Sequence, residues 1–236
     1  MFIQMLVLTS VGAMAQTEPP KKAENSPPPP PGPTLAQRLA DSYKKPKIGA
    51  PDLREMQAMR GGKAADGMEI RLLAPLQDPE TQAGVTVKPS PALYWFQNKA
   101  ASGKIEIAIT DVKTMMPVFK YRHKGEVPAG MNKLDLERHK VILQPGRVYK
   151  WSVIYHADRA NPSANLVQSS TIVRIEGQVP QGDAQLEERA IAYSELGAWL
   201  DVTDLLATQA QMRRGDPQAA RDLTAWLGAN GITLGQ

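Results

Sequence analysis

The chain has 236 residues, with 28 Lys and Arg against 24 Asp and Glu, three His and no Cys, a length that fits one large domain or two small ones. Without Cys there are no disulfides, no thiolate metal sites, no Cys nucleophile and no lipidated Cys anchor. Apolar residues at 42% and charged residues at 22% are ordinary for a globular protein, whereas twenty Pro against three Phe is not.

Residues 1–15, MFIQMLVLTSVGAMA, carry no charge and end in Ala13-Met14-Ala15. A short apolar run closed by small-x-small is the pattern that a signal peptidase cleaves, because its pocket accepts only small side chains there. The pattern predicts a signal peptide at 1–15, cleavage before Gln16, and a periplasmic or secreted protein. The basic segment that ordinarily precedes such a run is missing, and an upstream start codon would supply it. A bilayer-spanning helix takes about 20 apolar residues, so no transmembrane span is predicted.

Residues 16–67 read as a Pro-rich disordered linker, since ten of the twenty Pro fall between Pro19 and Pro51. Proline fixes φ and lacks an amide donor, which keeps this stretch out of sheets and helix interiors and favours an extended spacer. Two short helical patterns sit within it. Leu35, Leu39 and Tyr43 share a face after Thr34, and Leu53 and Met56 do so after Asp52; both are too short to hold alone in water.

From Met68 the apolar period becomes two. Seven strand candidates follow in residues 68–179: Ile70 and Leu72; Leu93 to Phe96; Ile105, Ile107 and Ile109; Val118 to Tyr121; Leu134 and Leu136; Tyr149, Trp151, Val153 and Tyr155; and Thr171, Val173 and Ile175. Alternation of this kind marks half-buried antiparallel strands. About seven of them in about 100 residues predict an immunoglobulin-like or fibronectin-like antiparallel β-sandwich. In Leu143-x-Pro145-Gly146-x-x-Tyr149-x-Trp151, a turn enters a long strand, and Tyr149 is placed to hydrogen-bond back across the corner. Trp95, Tyr149, Trp151, Val153 and Val173 are the expected core.

Residues 180–236 turn to a helical period. Asp183 can cap a helix carrying Leu186, Ala190 and Tyr193, and Asp201 a second carrying Val202, Leu205, Leu206 and Met212. Asp216-Pro217 is a cap followed by Pro at the first helical position, opening a third helix with Ala219, Leu223, Trp226 and Leu227 on its stripe; Asn230-Gly231 stops it. The first two form a loose tetratricopeptide-like hairpin with no second copy, so the tail reads as a cap packed on the sandwich rather than a peptide-binding array. The net charge is +3 over 16–67, +5 over 68–179 and −4 over 180–236. A basic sandwich beside an acidic tail predicts that one docks partly on the other.

No catalytic constellation is found. His123, His139 and His156 are far apart in sequence and form no metal-ligand pattern. There is no G-x-S-x-G and no phosphate-binding Gly-rich loop with Lys. The predictions are therefore no enzyme activity, no cofactor and no metal. Scattered Lys and Arg do not form a nucleic-acid footprint.

Four stretches occur together: Leu73-Ala74-Pro75; Pro91-x-x-Tyr94-Trp95-Phe96; the Pro145-Gly146 to Trp151 turn and strand; and Glu188-Arg189-Ala190-x-x-Tyr193-x-x-Leu196-Gly197-x-Trp199-x-Asp201. In these the chain resembles the domain-of-unknown-function 928 family of bacterial exported proteins, over roughly residues 68–229. It departs where some members carry a Cys after the Tyr-x-Trp motif; Ile154 to Ala157 stands there. The resemblance implies export and this architecture, with no catalytic residues. The expected function is a non-enzymatic extracytoplasmic binding module whose partner is an envelope or sensor protein. The first alternative is a carbohydrate- or cell-wall-binding sandwich, with Tyr94, Phe96 and Tyr121 as exposed contacts to a glycan. The second is a hydrolase with an unrecognised site.

Overall fold

The computed structural model describes residues 32–44, 64, 66–75, 83–158, 160–178 and 185–233. The expected signal peptide, the Pro run, the second short helical pattern and Asp183 lie outside the described residues. The strands and helices all belong to one compact unit, Pro33–Gln236.

The unit is mainly β, with helices at both ends of the sequence. A five-stranded sheet contains β2 (Ala83–Thr86), β5 (Ile105–Asp111), β6 (Pro117–Arg122), β9 (Val148–Tyr155) and β10 (Leu166–Arg174), in the order β2-β10-β9-β5-β6. All pairs are antiparallel except β2 with β10. A three-stranded antiparallel sheet runs β1 (Ile70–Leu72), β3 (Ala92–Gln97), β8 (Gly130–Asp135), in the order β1-β3-β8. Two short strands, β4 (Ala101–Ser102) and β7 (Glu126–Val127), make a third pair.

One buried cluster joins the two larger sheets. β9 alternates strictly, with Tyr149, Trp151, Val153 and Tyr155 buried, because strand side chains point to opposite faces in turn. In-register pairing puts Ile109, Ile107 and Ile105 of β5 beside Trp151, Val153 and Tyr155. Leu93 and Trp95 of β3 belong to the same cluster. The only hydrogen-bonding group of the Trp95 ring is satisfied, since its Nε1–H donates to Gln97 Oε1 at 3.0 Å, and Gln97 Nε2 donates on to the carbonyls of Lys99 and Val127.

The strands correct two expectations. β2, β4 and β7 stand in addition to the seven candidates. All four residues of β2 are buried, so it shows no alternation, and Gly84 sits where an added Cβ would come within 3.2 Å of Leu200 Cδ2. In β10 the register sets Ile172 opposite Tyr149 and Ser170 opposite Trp151. Ile172 therefore supplies the β10 contact to the Trp151 core, and Val173 is buried on the opposite face, beside Val85 of β2.

The helices differ more. α1 (Leu35–Ser42) opens on a capping box, with Thr34 and Gln37 bonding each other's backbone N–H. Residues 34–44 are thus not disordered linker, as their Pro-rich surroundings suggest. They form part of the folded unit because their few apolar groups find partners in the tail. Leu39 is fully buried, Ser194 Oγ donates to its carbonyl at 2.8 Å, and the Tyr43 ring stands edge-on to Trp199 and Trp226. Trp199 and Trp226 stack at 4.5 Å, joining α3 (Trp199–Met212) to α4 (Pro217–Ala229). α2 (Leu186–Glu195) begins at Gln185, which makes no side-chain cap. Asp216 caps α4 by accepting from Gln218 N, with Pro217 at the first position. Asp201 does not cap α3: it lies inside the first turn, fully buried, with its carboxylate turned to β2. Met212 lies on the exposed side of α3 and not on its buried stripe.

Candidate functional site

Two clusters of side chains bear most directly on function. The first joins α3 to the sheets. Asp201 accepts from Thr86 Oγ1 at 2.9 and 3.1 Å and from Val87 N at 2.8 Å. Burial pushes its carboxyl up to about 6, against the pull of the Val87 N–H and Lys88. One turn on, Asp204 accepts from Lys88 Nζ at 2.8 Å, Lys133 Nζ at 2.9 Å and the Tyr94 hydroxyl at 2.8 Å. Burial works against its ionisation, but Lys88 and the donated hydrogen bonds outweigh it and hold the carboxyl below the usual range. The same exchange raises Lys88 despite its burial, and burial followed by the Asp204 charge raises the Tyr94 phenol. Both carboxylates take their hydrogen bonds from the sheet side, as a docking contact between acidic helix and basic sheet requires. The charge asymmetry of the sequence is thus realised in one aspartate, Asp204, shared by two lysines.

The second cluster surrounds β6, which closes one side of the five-stranded sheet and pairs only with β5 among the described residues. Five large apolar side chains are prominently exposed among the described residues, and three belong to this region: Met115 (66%), Met116 (64%) and Val118 (42%); a fourth is Ile142 (61%). Met115 and Met116 lie in the β5–β6 turn and Ile142 in the loop between β8 and β9. The two segments are tied by the Arg147–Asp111 ion pair at 2.7 Å and by the Val112 N to Val148 O hydrogen bond. The amide of Thr114, then Arg147, holds the Asp111 carboxyl below its ordinary range. The His139 ring lies 5.2 Å from Phe119 and 4.8 Å from Tyr121, whose own rings are nearly parallel, and His123 stands edge-on to Tyr121. Among the described residues, the two non-glycine positions in the left-handed region are Met115 (φ 57°) and Lys140 (φ 56°), one in each segment. Such backbone costs on the order of 1 kcal/mol or more and concentrates where a surface is shaped for contact. On the other face of β6, Glu106 lies 3.1 Å from Lys120, 3.7 Å from Arg122 and 3.4 Å from His156.

The structure gives each residue singled out from sequence a definite place. Trp95, Tyr149, Trp151, Val153 and Val173 are all buried. The Tyr149 hydroxyl accepts from Gln144 N at 2.9 Å, five residues upstream, fixing the turn into β9. Tyr94, expected as an exposed contact, is 1% exposed because Asp204 and α3 cover it. Phe96 is half-buried on β3, Tyr121 half-buried on β6. The three do not make one patch, and Tyr121 instead joins Phe119 and His139. Sequence reasoning misses Met115, Met116, Phe119, His139 and Ile142 as members of a site. Two adjacent methionines before Pro117 are the available signal, since a turn ordinarily carries polar residues. Among the described residues, no group of three His, Asp or Glu is arranged to hold a metal ion, and no helix is long and apolar enough to cross a membrane.

The family model described as Domain of Unknown Function (DUF928) matches residues 55–233. That range takes in every strand and α2 to α4 but not α1. No curated protein and no solved structure matches the chain.

Proposed function

The chain belongs to the domain-of-unknown-function 928 family, and from that premise we propose that it is a non-enzymatic, exported binding module whose contact surface is the region around β6. The observation that carries the proposal is the exposure of Met115, Met116 and Val118 along one edge strand and the turn that leads into it, with Ile142 exposed in the loop that the Arg147–Asp111 pair ties to that turn. Isolated exposed apolar residues are ordinary, but several at one sheet edge, with half-buried rings and cations on the same strand, favour an interaction site. The polar chemistry on the helical side is engaged in docking: Asp201 is bound by Thr86 and Val87, and Asp204 by Lys88, Lys133 and Tyr94.

The finer architecture supports the same reading. Strand order β2-β10-β9-β5-β6 with β1-β3-β8, and a corner hydrogen bond from Gln144 to Tyr149, favour an immunoglobulin- or fibronectin-like sandwich. Such scaffolds bind through edges and loops. The single tetratricopeptide-like hairpin of α2 and α3, closed by α1 and α4, then serves as a cap that holds the sheets rigid. The partner is an envelope or sensor protein, reached by a Pro-rich spacer after cleavage of the leader.

The test is site-specific photo-crosslinking in the producing cell, with the crosslinker at position 118 and a control at exposed position 224 on α4. The expected result is a discrete adduct from position 118 alone, abolished by M116D/I142D in a protein that still melts cooperatively. Equal adducts from both positions, or none from 118, would overturn the contact surface. Mass spectrometry of the extracytoplasmic fraction tests export; an intact N-terminus at Met1 on protein found only in the cytosol refutes it.

A further inference from the structure

We propose that the occupant of this surface is an extended acidic segment of a partner protein, which adds to the five-stranded sheet as a new strand beside β6; the proposal rests on the binding-module reading above and deepens it. β6 has one neighbour among the described residues, β5. His123 N donates to Ile105 O at 2.9 Å, and antiparallel hydrogen bonding alternates along a pair. Phe119 and Tyr121 therefore spend their backbone groups on β5, while those of Lys120 and Arg122 point away from the sheet; the register shifts at the Ile109/Thr110 step, opposite Val118. A strand laid against Lys120 and Arg122 gains its hydrogen bonds from main chain, as in other strand-addition complexes.

The side chains choose the occupant. Residues 112–125 contain Lys113, Lys120, Arg122 and Lys124 and no Asp or Glu. Glu106 is shared between Lys120 and Arg122, so one carboxylate faces two cations and the positive excess remains. An incoming strand alternates its own side chains. One set lies beside Lys120 and Arg122, where carboxylates are favoured, and the other lies beside Phe119 and Tyr121, where apolar groups are. The same cations keep a second copy of β6 away, since pairing two such strands sets like charges opposite each other. Self-association is discouraged and an acidic strand selected by one pair of residues.

The probe is a set of labelled peptides in which Glu and Val alternate over slightly more than the six residues of β6, titrated into the mature protein by fluorescence anisotropy. Saturable binding is expected, falling at least about tenfold when Lys replaces Glu or in K120Q/R122Q, and weakening with salt. The decisive comparison uses two peptides N-methylated at alternate amides. One set of amides faces β6 and the other faces solvent, so only one peptide keeps its affinity. Equal binding by both methylated forms, or equal binding by polyglutamate of no pattern and by sulfated dextran, would reduce the site to a charge effect and overturn strand addition. If no peptide binds while the position-118 adduct persists and is lost in M116D/I142D, strand addition is refuted and the contact surface stands. Loss of both refutes both.

Discussion

Replacing Asp201 by Asn isolates the energetics of helix docking. Asp201 is fully buried and its donors, Thr86 Oγ1 and Val87 N, are both neutral. The neighbouring cations are spent elsewhere: Lys88 and Lys133 both bind Asp204. Burial therefore dominates and moves the carboxyl from 3.8 to about 6, equivalent to about 3 kcal/mol. The sign follows from where the proton sits. Between these values the folded protein holds a proton that the unfolded chain has released, so the contribution is full below about pH 4 and is lost as pH rises through about 6. Asn keeps the contacts, with its oxygen accepting from Val87 N and its amide donating to Thr86 Oγ1, which already accepts from Lys88 N at 3.0 Å. D201N is then close to neutral in stability near pH 4 and more stable than wild type by about 3 kcal/mol near pH 7.5. Asp66, Asp111 and Asp204, all held low, lose their contributions as pH falls, but equally in both proteins, so the difference between variants reports Asp201. Urea unfolding followed by fluorescence of the buried Trp151, Trp199 and Trp226, at half-unit intervals of pH, measures it. A difference that is flat with pH, or one that grows in favour of wild type toward neutral pH, would show that the carboxylate is ionised in place and that the burial argument is wrong.

Three further substitutions address the sheets and α1. W151A removes a fully buried indole from the centre of β9 and is expected to cost about 3–5 kcal/mol in urea unfolding; a change inside the error of the curve would place the opposite β9 face in the core. Y149F deletes only the hydroxyl that accepts from Gln144 N and is expected to cost about 1 kcal/mol, with hydrogen exchange faster at Gln144 than at Val153; unchanged protection at Gln144 would remove the corner's role. L39A empties a buried site between α1 and α2, with an expected loss of about 2–4 kcal/mol and a red shift of tryptophan emission as Tyr43 leaves Trp199 and Trp226. A silent L39A would mean that α1 is dispensable.

The strands are legible in the sequence where one face is dry and the other wet. β9 shows this best, for Lys150 and Ser152 face outward between Tyr149, Trp151 and Val153. β2 is not legible, because a four-residue strand buried throughout carries no period. β10 misleads for a related reason: Thr171, Ile172 and Val173 are all buried, so apolar character does not identify the face that meets Trp151. α1 is hidden by its neighbours in sequence. Its capping box and its Leu35-Leu39-Tyr43 stripe are visible locally, but a helix of eight residues holds only through partners that arrive some 150 residues later, in α2 to α4.

The candidate site is harder to read than the fold, and β6 shows why. Alternation separates Phe119 and Tyr121 from Val118, Lys120 and Arg122, but does not say that the strand ends its sheet, since that depends on the pairing order of strands distant in sequence. His139 reaches the two rings from a loop that begins after β8, a contact with no local pattern. Asp201 makes the complementary case. Its place before a helical stripe is that of a cap, and the docking of α3 on β2 turns the same carboxylate inward to Thr86 and Val87. Polar residues are assigned from sequence by what their neighbours in the chain can offer, and a tertiary partner overrides that offer whenever it satisfies the group better. Conversely, the exposure of Met115, Met116 and Ile142 follows from strand order and loop path, which no local pattern in the chain records.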